Sequence, residues 1–283
     1  MLNKDIKCLC GTILSGKRNL NKINYSYSFH LKKHSKRIKY YKCEDCNLYF
    51  QDLLMKPAKV INNNLSKLYD KKYFHENYNF NNHHLKKREI QYNLDLMHIL
   101  NFFKDKKEKS ILDYGCGNGN FLKKFKGKKF GFEINKDIKK SKSIEYLSFD
   151  QIRKKKFDMI VMRGVIEHIP DFYIVLKYLF KTIKNKGLFY LTATPNSLSL
   201  AFEMNKKKFN QNCLEHIYHF NHLNLSKFFL LNGFSLIDTS FQYFKTPYKN
   251  IPKDYENIKN HKNLDILPTY PGNMMTLIFQ KIN

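Results

Sequence analysis

The chain is short of acid, short of arginine and without any long apolar run. Its 283 residues carry 51 Lys+Arg against 24 Asp+Glu, a formal net charge of +27. Such an excess of base favours anionic partners, with nucleic acid and anionic membranes among them. The scarcity of arginine argues the other way, since it stands only at Arg18, Arg37, Arg88, Arg153 and Arg163. The guanidinium fork grips phosphate and base edges through two bonds at once, whereas lysine is a point charge. With Asn, Ile, Tyr and Phe also abundant, the charge reads as solvated lysine from AT-rich codons. A small anionic acceptor, nucleotide-linked or phosphorylated, suits this surface, and nucleic acid is the less favoured partner. No run is long and apolar enough to span a bilayer. Residues Met1 to Cys10 are charged and hold no apolar core of the kind a signal peptide needs, so the expected compartment is the cytoplasm. There is no internal repeat, which excludes solenoids and propellers.

What is present begins with cysteine. Hydrophobic residues at 42% and aromatics at 15% allow a packed core. Four of the six cysteines, Cys8, Cys10, Cys43 and Cys46, fall before residue 55, and Cys116 and Cys213 stand alone. In a reducing compartment, paired cysteines point to metal before disulfide. Cys43-Glu44-Asp45-Cys46 is a C-x-x-C knuckle followed by a strand-like run, and Cys8-Leu9-Cys10 is followed directly by Gly11, which suits a tight turn. Four thiolates would hold structural zinc and anchor a segment too small for a core of its own. The first spacing is one residue shorter than usual, so His30 or His34 is an alternative to Cys8. Residues 1–55 are therefore read as a zinc-ribbon-like module. Residues 56–108 are read as a linker and helical lead-in. That stretch holds an Asn- and Lys-rich run from Lys56 to Lys72, an aromatic cluster (Tyr69, Tyr73, Phe74, Tyr78, Phe80), and a helix from His84 to Lys106 with Ile90, Leu94, Met97 and Phe102 as its apolar face.

From residue 109 to 283 strands and helices alternate. Strands are expected over Ser110–Tyr114, Lys129–Glu133, Phe157–Met162 and Gly187–Thr192, with helices over Phe172–Ile183 and Leu225–Leu231. Asn232-Gly233 is a helix stop, and Phe234–Thr239 and Met274–Phe279 are expected to pair late in the chain. This pattern predicts an α/β fold, a doubly wound and mainly parallel sheet.

Ile111-Leu112-Asp113-Tyr114-Gly115-Cys116-Gly117-Asn118-Gly119 joins an apolar strand, ending in an acid, to a glycine-rich turn at the ligand-binding edge of such a sheet. Nicotinamide dinucleotide sites use G-x-G-x-x-G and face pyrophosphate. G-x-G-x-G behind Asp113 fits S-adenosylmethionine (AdoMet) instead, which has no phosphate but carries a sulfonium, an amine and a carboxylate. After the second strand, Glu133 can accept hydrogen bonds from both ribose hydroxyls.

In these motifs the run from 111 to 196 resembles the class I AdoMet methyltransferases. It is similar in its glycine motif, in Glu133, in Phe157-Asp158-Met159-Ile160, in Val165-Ile166-Glu167-His168-Ile169-Pro170-Asp171 and in Thr194-Pro195-Asn196. The resemblance implies that Asp113, Gly115, Cys116, Gly117, Asn118 and Gly119 hold the methionine end and Glu133 the ribose. It also implies that Arg163 and Gly164 line the donor site and that Phe149 and Asp150 lie at the adenine. The segment between Glu133 and Phe157 is short, so the second helix is expected to be abbreviated. The cysteine module resembles that of methyltransferases acting on deoxysugar nucleotides or surface glycans, whose C-methylating members carry a Glu-His pair where Glu215-His216 falls here. Those members continue into a further domain, and this chain ends at Asn283, so methylation of a hydroxyl on a nucleotide sugar or glycan precursor is expected. His216 is the candidate general base, because imidazole titrates near neutral pH. Glu215 is a candidate to orient it, with His219 and His168 as rivals and Cys213 inert. An RNA or protein acceptor is the alternative that the charge would support, and a quinone or lipid hydroxyl is another. The sequence lacks the [DN]-P-P-[YF] motif of nucleobase amino-methylases; Met162-Arg163-Gly164-Val165 stands in its place. An intact glycine loop with Glu133 disfavours a non-catalytic AdoMet-fold module.

Overall fold

The fold is seen in a computed structural model that describes residues 7–13, 20–26, 37–56, 60–61, 82–104, 106–136, 138, 140–205, 215–260 and 272–282. His30, His34, Cys213 and the aromatic cluster at 69–80 lie outside the described residues. Among the described residues no helix is long and apolar enough to cross a membrane.

The large sheet has seven strands. β4 (Ser110–Tyr114), β5 (Lys128–Phe132), β6 (Glu145–Tyr146), β7 (Phe157–Arg163) and β8 (Ile183–Pro195) run parallel to one another. β11 (Met274–Lys281) lies antiparallel between β8 and β10 (Phe234–Ser240). The order across the sheet is β10-β11-β8-β7-β4-β5-β6. All five residues of β4 are buried, as a central strand covered on both faces requires. Helix α3 (Phe172–Thr182) buries Phe172, Leu176, Leu179 and Phe180, one stripe of a 3.6-residue repeat. Helix α5 (His222–Leu230) starts at a reciprocal cap between Asn221 and Asn224 and stops before Gly233, whose φ is +81°. Its Phe229 stacks on Phe279 of β11 with centroids 3.9 Å apart. Each such buried ring contributes roughly 1.5–3 kcal/mol.

A second sheet of four strands is built on the N-terminal residues. β1 (Leu20–Ser26), β2 (Arg37–Cys43) and β3 (Tyr49–Gln51) are antiparallel, and the fourth strand is β9 (Tyr218–His219), which pairs with β3. Cys8, Leu48 and Phe50 share one continuous core with Phe172, Tyr218 and Phe220. The boundary drawn at residue 55 is thus crossed by a strand pair and by the core.

Two local features depart from the pattern of the sequence. The glycine loop leads into a single 3-10 turn, Leu122–Lys124, and not into a full helix. Only a few residues separate the loop from β5, and Gly127 is pinned with its would-be Cβ 2.2 Å from the Lys109 carbonyl oxygen. The connection from β5 to β6 contains no helix among its described residues, in line with the short spacing. Helix α1 (Asn82–Leu100) forms, but Ile90 and Met97 are 50% and 66% exposed, while Gln91, Asp95 and Ile99 are buried. The helix turns polar side chains toward the sheet because an arginine waits there.

Candidate functional site

The strand order reverses between β4 and β7, and that crevice at the carboxyl ends is where open α/β sheets take ligands. A cleft of about 270 Å³ opens there. It is lined by Asp113, Gly115, Cys116, Gly117 and Asn118 from the loop after β4, and by Arg163, Gly164, Glu167 and His168 from the end of β7. Arg88 and Tyr92 of α1 and His216 complete the wall.

The loop is folded by its glycines. Gly115 and Gly119 have φ of +83° and +77°. A Cβ on Gly115 would stand 2.6 Å from Val165 Cγ2, and one on Gly119 2.2 Å from Ile144 Cδ1. The loop is tied to β5 where Gly115 N and Cys116 N both donate to the Phe132 carbonyl, at 2.8 and 3.0 Å. Glu133 secures its rim by accepting from Gly117 N at 2.8 Å and Asn135 N at 2.9 Å. Cys116 lies beneath, its thiol pushed up by burial and so protonated and unreactive.

Asp113 is the unusual acid. It is 3% exposed, and its Oδ1 has no hydrogen-bond partner among the described residues. Burial pushes its pKa up to about 7, with Arg163 opposing and Glu133 reinforcing the shift. A buried acceptor without a donor is costly unless a ligand supplies one. The amine of AdoMet is such a donor, and the glycine-walled cleft leaves room for its approach, so the residues present fit that group.

Arg163 carries the far wall. Its Nε donates to Asp95 Oδ2 of α1 at 2.9 Å, and its guanidinium lies 4.8 Å from the Tyr92 ring centroid. Asp95 also accepts from Gln91 Nε2 at 2.8 Å. A second cleft of about 270 Å³ continues past Arg163 and is lined by Gln91, Gln242, Thr192, Thr246 and Tyr248.

The sequence-predicted residues separate at this point. Asp113, Gly115, Cys116, Gly117, Asn118, Arg163, Gly164 and His216 come together at the cleft, and Gly119 stands behind it. Glu133 sits on its rim through Gly117. Phe149 is turned toward Phe132 and Tyr178, and Asp150 projects outward with its side chain 85% exposed; neither lines the cleft. His219 is fully buried between Tyr40 and Phe202, with its pKa lowered to about 3 by desolvation, and it too is absent from the cleft wall. A group sealed in the core cannot reach a substrate proton, so the structure corrects the expectation for His219. Glu215 works through its backbone, whose carbonyl faces His168 Nδ1 at 2.9 Å.

Glu167 was given no role in the sequence, yet it lines the cleft at 1% exposure, its pKa pushed up to about 8 by burial. Its Oε2 accepts from Thr194 Oγ1 at 3.3 Å, and His168 Nε2 stands 3.9 Å from its Oε1. Burial lowers the pKa of His168 and keeps the ring neutral. The His168 and His216 rings are 4.8 Å apart. Tyr40 Oη and Gln51 Nε2 each donate to the His216 carbonyl at 2.8 Å, so the N-terminal sheet holds this histidine's backbone.

The four N-terminal cysteines also converge, with all their sulfurs within 4.8 Å of one another. Cys8 and Cys46 approach to 3.1 Å, and Cys10 and Cys43 to 3.7 Å. Sulfurs around tetrahedral zinc at about 2.3 Å lie roughly 3.8 Å apart. Each pair closes on a left-handed residue, Gly11 at φ +87° and Asn47 at φ +58°. The short C-x-C spacing thus reaches the same turn as the C-x-x-C. Hydrogen bonds among the four thiols hold Cys10 and Cys43 down and push Cys8 and Cys46 up, so the cluster shares its protons unequally.

Comparison with known proteins gives a consistent result. The profile of a family described as a methyltransferase domain matches residues 82–239. No curated protein matches the sequence. Among solved structures, the chain is similar to magnesium protoporphyrin IX methyltransferase from Synechocystis PCC 6803, solved with bound SAH. The TM-score is 0.53 and the identity 12%, over 78% of this chain and 99% of that one. It is also similar to a chain from the complex of the Haloferax volcanii Trm112 methyltransferase activator with a methyltransferase, at TM-score 0.53 and 12% identity, over 70% and 94% of the two chains. At this identity the likeness is one of fold.

Proposed function

The chain belongs to the methyltransferase domain family, as a class I AdoMet-dependent enzyme, and from that premise we propose that it methylates a hydroxyl of a small nucleotide sugar or glycan precursor. The observation that carries this reading is the junction of two chemistries in one cleft. The glycine loop with Asp113 lies on one wall, and Glu167, His168 and His216 lie on the other. AdoMet brings a methyl group already activated by its sulfonium. The chain has to bind it, align the acceptor and deal with a hydroxyl proton. Asp113 takes the amine and Glu133 the ribose. His216 is the group that receives the proton, held in place through its carbonyl by Tyr40 and Gln51. Gln242, Thr246 and Tyr248 offer a polyol amide and hydroxyl contacts in the second cleft, within a wall that is mainly apolar. The excess of lysine favours an acceptor that carries phosphate.

Residues 1–55 are proposed to be a structural zinc module with Cys8, Cys10, Cys43 and Cys46 as ligands. Elemental analysis should find roughly one zinc per chain. A metal-free, fully folded protein would remove this assignment.

For the donor site, Glu133→Ala should weaken AdoMet binding about tenfold or more (~1.4 kcal/mol), because a charged acceptor of two hydrogen bonds is lost. Calorimetry showing wild-type affinity would end the ribose assignment. The acceptor is tested by incubating the protein with methyl-labelled AdoMet and a lysate of its own host, followed by fractionation. Label in nucleotide-sugar or glycan fractions is expected. Label in RNA or protein would overturn the acceptor class and give the positive surface a function.

A further inference from the structure

We propose that Glu167, His168 and His216 bind a divalent cation in the methyl-transfer cleft, a site separate from the cysteine cluster and one that grips the acceptor hydroxyl. Their ligand atoms, one carboxylate oxygen and two imidazole nitrogens, all lie within 4.8 Å of one another. Two-histidine, one-carboxylate sets with open positions are a common way to hold a reactive first-row ion.

Three features of these residues point to a cation. The first is the state of Glu167. It is 1% exposed, and among the described residues no lysine or arginine pairs with it, in a chain with 51 such residues. A buried carboxyl of this kind is paired, protonated or bound to metal, and a cation bound here would take the place of the proton. Thr194 Oγ1 donates to it at a long 3.3 Å, which orients the carboxyl group without supplying a charge. The second is the tautomer of His168. Its Nδ1–H donates to the Glu215 carbonyl at 2.9 Å, so the Nε2 lone pair points toward Glu167. This is the outer hydrogen bond that ligating histidines make. The third is the anchoring of the segment that bears His216. Its carbonyl takes two hydrogen bonds from the N-terminal sheet, and the next residue, Ile217, donates its N–H to the Glu167 carbonyl at 2.9 Å. All three residues face the cleft that also holds the glycine loop.

This inference rests on the reading of that cleft as the methyl-transfer site, and it takes the proton step over from His216. With the ion bound, His216 is a ligand and not the base. The acceptor oxygen binds the ion at an open position, its pKa falls, and its proton leaves to water. An oxygen lone pair then forms the new C–O bond as the C–S bond breaks, and that electron pair returns to sulfur as a neutral thioether.

The test is manganese binding to the full chain with its cysteine-bound metal left in place, read by electron paramagnetic resonance after exchange into chelator-free, metal-free buffer. Mn²⁺ favours oxygen and nitrogen donors, so it reports this site in preference to the thiolates. Saturation at roughly one ion per chain is expected. Glu167→Gln and His216→Ala should each weaken binding about tenfold or more, with circular dichroism spectra like that of the wild type. Unbound manganese, or wild-type affinity in both folded variants, would overturn the site. The result also separates from the acceptor reading. Manganese bound as described, with no label in any sugar fraction, leaves the site standing and removes that acceptor. Label in sugar fractions with no manganese bound removes the site and leaves the acceptor.

Discussion

Asp113→Asn is expected to weaken AdoMet binding by about a hundredfold (~2.7 kcal/mol), since the buried carboxylate that faces the amine loses its charge. The same substitution should erase a pH dependence. In the wild type, burial pushes the pKa of Asp113 up to about 7. A bound ammonium favours the ionised form, so binding below that pH must first expel a proton. Affinity should therefore fall about tenfold for each pH unit below neutrality and level off above it. The asparagine variant should stay flat throughout. Stability responds in the opposite sense. A carboxyl whose folded pKa lies above its ordinary value favours the folded state most when protonated. The unliganded protein should lose stability, on the order of 4 kcal/mol, as pH rises from about 4 to about 7. Calorimetry across that range, on both proteins, decides the matter. Parallel affinity profiles for wild type and variant would remove Asp113 from the amine site.

The second large effect is on the wall opposite. Asp95→Ala should destabilise the protein by about 3 kcal/mol, because it leaves the Arg163 guanidinium without its buried counter-charge. The low end of the usual range is chosen because Arg163 keeps 21% of its side-chain surface, against 2% for Asp95. Gln91 loses an acceptor in the same stroke. The midpoint of thermal unfolding should fall by roughly five degrees. Asp95→Ala combined with Arg163→Met should recover part of that loss, since a well-packed apolar pair replaces a broken ionic one. A single variant that melts like the wild type would show that Arg163 does not depend on α1.

The sheet was legible because its strands are continuous apolar runs punctuated by glycine, and local signals of that kind survive in sequence. The glycine loop was legible for the same reason. Asp113, Gly115 and Gly119 are neighbours in the chain, and their conformations are demanded by φ and by close approach. What escaped was produced by contacts across long separations. Helix α1 was given an apolar face through Ile90 and Met97, and the structure buries Gln91 and Asp95 instead, because Arg163 lies 68 residues further on. Glu167 reads as an ordinary acid before His168, and only the fold brings His216 against them. His219 has the same chemistry as His216 three residues away, but strand alternation sends it into the core beside Tyr40.

The pairing of β3 with β9 sets an order in time. Tyr49 and His219 are register partners at opposite ends of the chain, so the N-terminal sheet lacks its last strand until residue 219 has been made. At ordinary rates of synthesis that wait is roughly ten to thirty seconds. Throughout it, Phe50 lacks both its neighbour Tyr218 and much of its covering core.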